Sequence, residues 1–339
     1  MSPENSETKQ PDPQAALDEL ALLLRPAGGG VHTISTGRAE QERLQTQLYG
    51  ARDAAEVQGR WRASLARIAT AKVAVLAIPS DCGAGLVRGA SFGPQALRVG
   101  WLAARPDLLK DPAVVDVGDV MVIPHLLTDE MVSESQKAAC RAALYPGLTA
   151  EEAGGLPVAP LSIAERALER IFDLNPRIKL LVLGGDHSVA WPVAVALKRR
   201  RAPDLGIVQP DAHTDLLPHR LGVRICFATW AYHANELISR GGRMVQVGVR
   251  ASGRTREHWE STEGVRQFWS RDLEARGSAA VLNEITDHLR ARGVKQVYFS
   301  NDIDATDLAF APATGAPEPG GLTPDFVTSL IARLGSEFD

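Results

Sequence analysis

An α/β fold built on a mainly parallel sheet is what this sequence predicts, and three observations carry the prediction. From residue 161 onward, apolar runs of strand length alternate with stretches of helical length, the rhythm of βαβ units around a parallel sheet. Three of those runs end in side chains of metal-ligand type. Residues 178–183 lead into Gly184-Gly185-Asp186-His187-Ser188, 205–208 towards Asp211-Ala212-His213-Thr214-Asp215, and 297–300 into Asn301-Asp302-Ile303-Asp304. Open parallel sheets bind ligands in the crevice outside the carboxyl ends of their strands. The three clusters are therefore expected to converge.

Taken in order, residues 1–14 are polar and proline-containing, and disorder is expected there. Residues 15–24 suit a short amphipathic helix, stopped by Pro26 and Gly28-Gly29-Gly30, and 39–68 suit one or two helices. Residues 1–70 thus read as an N-terminal extension, partly disordered and partly helical, and 71–339 as the main domain. That domain opens on a strand at Val73–Ile78. The glycine-rich loop from Asp81 to Gly93 matches neither a P-loop nor a dinucleotide fingerprint, which argues against nucleotide binding. Pro94 suits the first turn of a helix reaching Ala104, and 114–117 form a second strand. Residues 123–160 break the alternation and read as an insertion around a helix at Glu134–Leu144. The regular part follows: helix 163–172, strand 178–183, helix 189–200, strand 205–208, helix 230–239 and strand 244–247. After a polar stretch at 255–263 come helix 279–292, strand 296–300, a long loop at 305–322 and helix 324–334.

With 339 residues, 45% hydrophobic and 23% charged, the chain can bury a large core. A net charge of −4, without a basic patch interleaved with aromatics, argues against nucleic acid. No run has the apolar length of a membrane span. Cys82, Cys140 and Cys226 are odd in number and scattered, which argues for a reducing compartment over a disulfide framework. No signal-peptide pattern is evident, so a cytoplasmic location is expected.

Side chains two apart on an extended segment share a face, so Asp211, His213 and Asp215 can point into one space. A solvated helix-capping turn is the plain alternative for any one of these carboxylates. Six candidates, His187, Asp211, His213, Asp215, Asp302 and Asp304, exceed what one ion takes from a protein and suit two ions sharing carboxylates. Asp302 and Asp304 on one face repel unless a cation or proton lies between them. Asp186 is placed to orient a ligand histidine. The loop at 305–322 is expected to wall the cleft.

These three blocks resemble the signature blocks of the ureohydrolases, the family of arginase, agmatinase and their relatives. The resemblance continues through Arg88-Gly89-Ala90-Ser91-Phe92-Gly93-Pro94, Asp116-Val117-Gly118-Asp119-Val120 and the run from Ala311 to Thr323. It implies a three-layer α/β/α fold, a trimer or hexamer, and a binuclear manganese centre, with nickel an alternative. It also implies metal-assisted hydrolysis, in which two cations lower the pKa of a bridging water. The hydroxide so formed attacks a small guanidino substrate and releases urea and an amine. All six side chains carry over as ligands, with Asp211, Asp215 and Asp302 tending to bridge, and Asp304 placed to hold the attacking hydroxide.

Two departures from the family matter. Agmatinases carry a His-Gly-Thr block where this chain reads Cys226-Phe227-Ala228-Thr229-Trp230, so His219 and His233 become the proton-transfer candidates. Arginase's polar loop for the substrate α-amino and carboxylate groups is replaced by residues 216–225. There Arg220 and Arg224 are either solvated charges or a clamp for a substrate carboxylate, the latter pointing to a guanidino acid. Family members also continue into a strand whose glutamate grips the guanidinium, and this domain is expected to end before it. Two further readings are a catalytically silent metal-binding subunit, with an assembly or regulatory role, and a single-zinc deacylase. Six ligands in three blocks argue against the deacylase, since catalytic zinc takes three from the protein.

Overall fold

The computed structural model describes residues 12–32, 35–85, 87–201 and 203–339, so most of the stretch expected to be disordered lies outside the described residues. The chain divides into two compact units. One comprises residues up to Pro79 with Phe92–Leu183; the other comprises Ser80–Ser91 with Gly184–Asp339.

The first unit holds α1 (Pro13–Leu23), β1 (Leu24–Arg25), α2 (Arg38–Tyr49), α3 (Ala54–Leu65), β2 (Val73–Ile78), α4 (Gly93–Ala104) and β3 (Val114–Val120). It continues through α5 (Glu134–Leu144), α6 (Ala150–Ala153), α7 (Pro160–Leu174) and β4 (Lys179–Gly184), whose last residue begins the second unit. Its sheet runs in the order β1–β3–β2–β4, with β3 parallel to β2 and antiparallel to β1. Asp12 caps α1, accepting from the Gln14 N–H at 3.0 Å, and buried Leu20 and Leu23 fix its inner face. Glu19 on α1 pairs with Arg166 and Arg170 on α7. The segment read as an extension therefore supplies a strand and a packed helix to this unit. Strand β3 runs three residues past the predicted end. Its Asp116 and Asp119 are buried because Arg98, fully buried on α4, meets Asp116 through two 2.8 Å bonds and Asp119 through one of 2.5 Å.

The second unit holds α8 (Ala190–Arg201), β5 (Leu205–Pro210), α9 (Trp230–Leu237), β6 (Met244–Val249), α10 (Arg256–Glu263), β7 (Arg266–Trp269), α11 (Ser270–Arg276), α12 (Ser278–Ala291), β8 (Gln296–Phe299) and α13 (Pro324–Glu337). Its four strands are all parallel, in the order β7–β6–β5–β8. Alternate strand residues go to opposite faces. Val208, Val245, Val247 and Phe268 pack with Ile285, Leu289 and Leu330 of α12 and α13. Leu205, Ile207 and Met244 pack with Ala194 of α8 and Trp230 and Ala234 of α9. Helices on both faces of a parallel sheet give the α/β/α layering, and strands buried on both sides carry the apolar runs that made them legible. Strand β7 and helix α11 were not read from the sequence. Among the described residues no helix is long and apolar enough to cross a membrane, and all three cysteines are free.

Candidate metal centre

Each of the three blocks folds locally in the same way. An aspartate at a strand end accepts a hydrogen bond from the backbone N–H two residues on: Asp186 from Ser188 at 2.8 Å, Asp211 from His213 at 2.7 Å, Asp302 from Asp304 at 3.0 Å. Such turns are a habit of aspartate. Gly185 is required at the first, since any side chain there would collide with the Ser80 backbone. At the second, Asp215 takes a left-handed backbone, φ 53°, a conformation uncommon outside glycine and frequent at functional sites.

The blocks do converge. His187 Nδ1 lies 3.0 Å from Asp211 Oδ2, 3.1 Å from Asp302 Oδ2 and 3.3 Å from Asp215 Oδ2. It is buried and makes no hydrogen bond. One ring nitrogen offers one proton or one lone pair and cannot serve three carboxylates. Ligands at right angles around a cation about 2.1 Å away stand about 3.0 Å apart, which is the spacing seen. His187 Nε2 sits 3.0 Å from Ser300 Oγ. With its proton donated there, the Nδ1 lone pair is turned towards the carboxylates. Ser300, and not Asp186, is thus the partner that orients His187.

A second group lies beside the first. His213 Nδ1 is 3.1 Å from Asp304 Oδ2 and 3.5 Å from Asp211 Oδ1. Ligand atoms lie within 4.8 Å of one another in each of two sets, His187/Asp211/Asp302 and Asp211/His213/Asp304. Asp211 belongs to both, one oxygen turned to each. This set of carboxylate oxygens and imidazole nitrogens fits hard or borderline divalent cations.

Burial and the charge of Asp211 push Asp215 up to about 8, and burial likewise pushes Asp304 up to about 7. Burial also opposes ionisation of Asp211, but the His187 and His213 imidazoles beside it, with the Gln209 amide, outweigh it and hold that carboxylate low. Asp211 and Asp304 in turn raise His213 to about 11.

Several contributors were not read from the sequence. Trp230, fully buried, donates Nε1–H to Asp215 Oδ2 at 3.1 Å, and its ring lies 4.6 Å from the His187 ring. Arg250 donates to five backbone carbonyls, those of Gly248, Asp304, Ala305, Glu318 and Pro319, at 2.6 to 3.3 Å. It thereby ties the 305–322 loop to the strand end that carries Asp304. Glu318 on that loop reaches within 3.9 Å of His213 Nε2.

The other candidates are placed as follows. His219 is exposed, and His233 Nε2 bonds the Pro218 carbonyl at 3.0 Å with its ring edge-on to Trp191. Among the described residues no hydrogen bond, ion pair or ring contact joins either to the six candidate ligands. Arg220 and Val223 close a tight turn with paired 2.9 Å bonds, and the Arg220 guanidinium lies over the Phe227 ring at 4.7 Å. Arg224 lies over Trp191 at 5.7 Å.

Comparison with known proteins agrees with this geometry. The model of the arginase family matches residues 71–338. Guanidinobutyrase of Pseudomonas aeruginosa is 30% identical over 257 residues, 74% of this chain and 70% of that protein. The N(1)-aminopropylagmatine ureohydrolase of Thermus thermophilus is 32% identical over 79% of each. Proclavaminate amidino hydrolase from Streptomyces clavuligerus superposes with a TM-score of 0.60 at 26% identity, covering 78% of this chain and 79% of that one. The chain belongs to the arginase family and has the arginase-like fold. It is a metal-binding hydrolase acting on C–N bonds of linear amidines.

Proposed function

We propose that this chain hydrolyses a small guanidino acid to urea and an amine, with two manganese ions held by His187, Asp211, His213, Asp215, Asp302 and Asp304. The observation that carries the reading is the buried His187 Nδ1, facing three carboxylates without a hydrogen bond. Four aspartates, fully ionised, carry the charge that two divalent cations neutralise. An oxygen-rich donor set with imidazole favours manganese, and nickel is an alternative occupant. When bound, the ions supply Lewis acidity and make hydroxide available near neutral pH.

The residues around them have separate tasks. Asp304 Oδ2, at 3.1 Å from His213 Nδ1, accepts the proton of the attacking water and returns it to the departing amine. Arg220 and Arg224 offer guanidinium groups to a substrate carboxylate, and the similarity to a guanidinobutyrase supports an acid. His233 holds the Pro218 carbonyl and so steadies the loop bearing both arginines. His233 and His219 remain the candidates for proton transfer. A homo-oligomer, trimeric or hexameric, and a cytoplasmic location complete the proposal.

Urea release tests it. Manganese-loaded protein is offered arginine, agmatine, 4-guanidinobutyrate, 3-guanidinopropionate and guanidine. Turnover of one of the two acids, above arginine and agmatine, is the expected result. Silence across the panel with metal bound would favour the catalytically silent relative.

A further inference from the structure

Three glutamines lie side by side across the second sheet. Gln209 on β5 is in register with Gln246 on β6, and Gln246 with Gln267 on β7. All three are fully buried, where an unpaired amide is costly, yet each is bonded to the next. Trp269 Nε1 donates to Gln267 Oε1 at 2.9 Å, Gln267 Nε2 to Gln246 Oε1 at 2.8 Å, and Gln246 Nε2 to Gln209 Oε1 at 2.8 Å. Gln209 Nε2 then donates to Asp211 Oδ2, also at 2.8 Å.

The direction of this chain is forced from both ends. An indole N–H only donates and an ionised carboxylate only accepts, so every amide between them must turn its NH2 towards Asp211. Aligned hydrogen bonds in a buried row polarise one another. Gln246 Nε2 also reaches the Thr214 carbonyl at 2.5 Å, one residue before the left-handed Asp215. The row therefore grips the 211–215 block at two points. With Gln209 on Asp211 Oδ2 and the His213 N–H on Oδ1, each oxygen keeps one lone-pair direction, and these face the two ligand sets.

We propose that Gln267, Gln246 and Gln209 form a directional amide relay that fixes the Asp211 carboxylate in its shared position, making them positioning residues of the metal centre. A row that only joined strands would need neither a common direction nor a carboxylate at its end. This inference rests on the metal reading above.

The test is manganese binding to the metal-free chain, by calorimetry, for wild type, Gln209→Met and Gln267→Met, with circular dichroism to establish folding. Methionine keeps the length and removes both donor and acceptor. Gln209→Met is expected to weaken binding about 10- to 100-fold, the usual effect of removing a group that orients a ligand. Gln267→Met, two strands from Asp211, is expected to weaken it by about threefold or more through lost polarisation. A folded Gln267→Met chain that binds manganese as wild type does would overturn the relay, whatever Gln209→Met shows. Should Gln267→Met not fold, Trp269→Phe removes the first donor and is held to the same criterion. If wild type itself binds no manganese, the metal reading fails rather than the relay.

Discussion

Replacing Arg250 by lysine should loosen the 305–322 loop by an amount the structure sets. The guanidinium donates five hydrogen bonds from one plane, to carbonyls of β6, of the segment after Asp304, and of the loop near Pro319. Lysine has three donors on one nitrogen, so at least two bonds are lost. At about 0.5–1.5 kcal/mol each, the loss is about 1–3 kcal/mol. Arg250 is partly exposed, so water replaces some donors and the lower half of that range is expected. The backbone N–H groups of Asp307, Gly321 and Leu322 report the change, because they bond within the loop to Leu322 O, Asp307 Oδ2 and Ala305 O. If local opening governs their exchange, 1–3 kcal/mol corresponds to about 5- to 150-fold faster deuterium uptake. Uptake in β2 and β3 of the other unit serves as the control and should not change. Wild-type uptake at those three amides in a folded Arg250→Lys chain would refute the idea that Arg250 pins the loop.

Three further predictions follow from the site. Ser300→Ala removes the partner of His187 Nε2 and should weaken manganese binding about 10- to 100-fold, measured by chelator competition. Manganese binding should release protons and tighten as pH rises through about 7 and 8, since Asp304 and Asp215 titrate there in the metal-free chain. The sign reverses for metal-free stability. Both carboxyls have folded values raised above the unfolded range, so the folded chain binds more protons than the unfolded one. That contribution is complete at low pH and is lost as pH rises through about 7 to 8. Denaturant midpoints at a series of pH values, with and without manganese, read both effects. Finally, Arg220→Met should raise KM for 4-guanidinobutyrate about tenfold, the loss of one charge-assisted contact, while changing kcat little. Steady-state urea assays check it, and equal KM values would remove Arg220 from the substrate site.

What the sequence made legible is what local chemistry writes into adjacent residues. The strand Val73–Ile78 and the helix Glu134–Leu144 lie within the predicted bounds because an apolar run and a serine cap announce them. The ligand blocks were legible because each aspartate folds its own turn at the end of an apolar run. Strand β7 was not, since Arg266-Gln267-Phe268-Trp269 has only two apolar residues, and one of its polar ones is buried in the relay. Asp186 looked like the orienting partner of His187 through adjacency, whereas the actual partner, Ser300, is 113 positions away and reached only through the fold. Arg250 and the glutamine row share that character. A buried polar side chain has no period or motif, and its partners come from other strands.

The most direct test of the account is the manganese content of the reconstituted, dialysed protein, by elemental analysis against amino-acid concentration. Two ions per chain are predicted, falling when His187→Ala removes the nitrogen that faces three carboxylates. One ion or none in the folded wild-type chain would contradict a shared Asp211 and with it the binuclear centre.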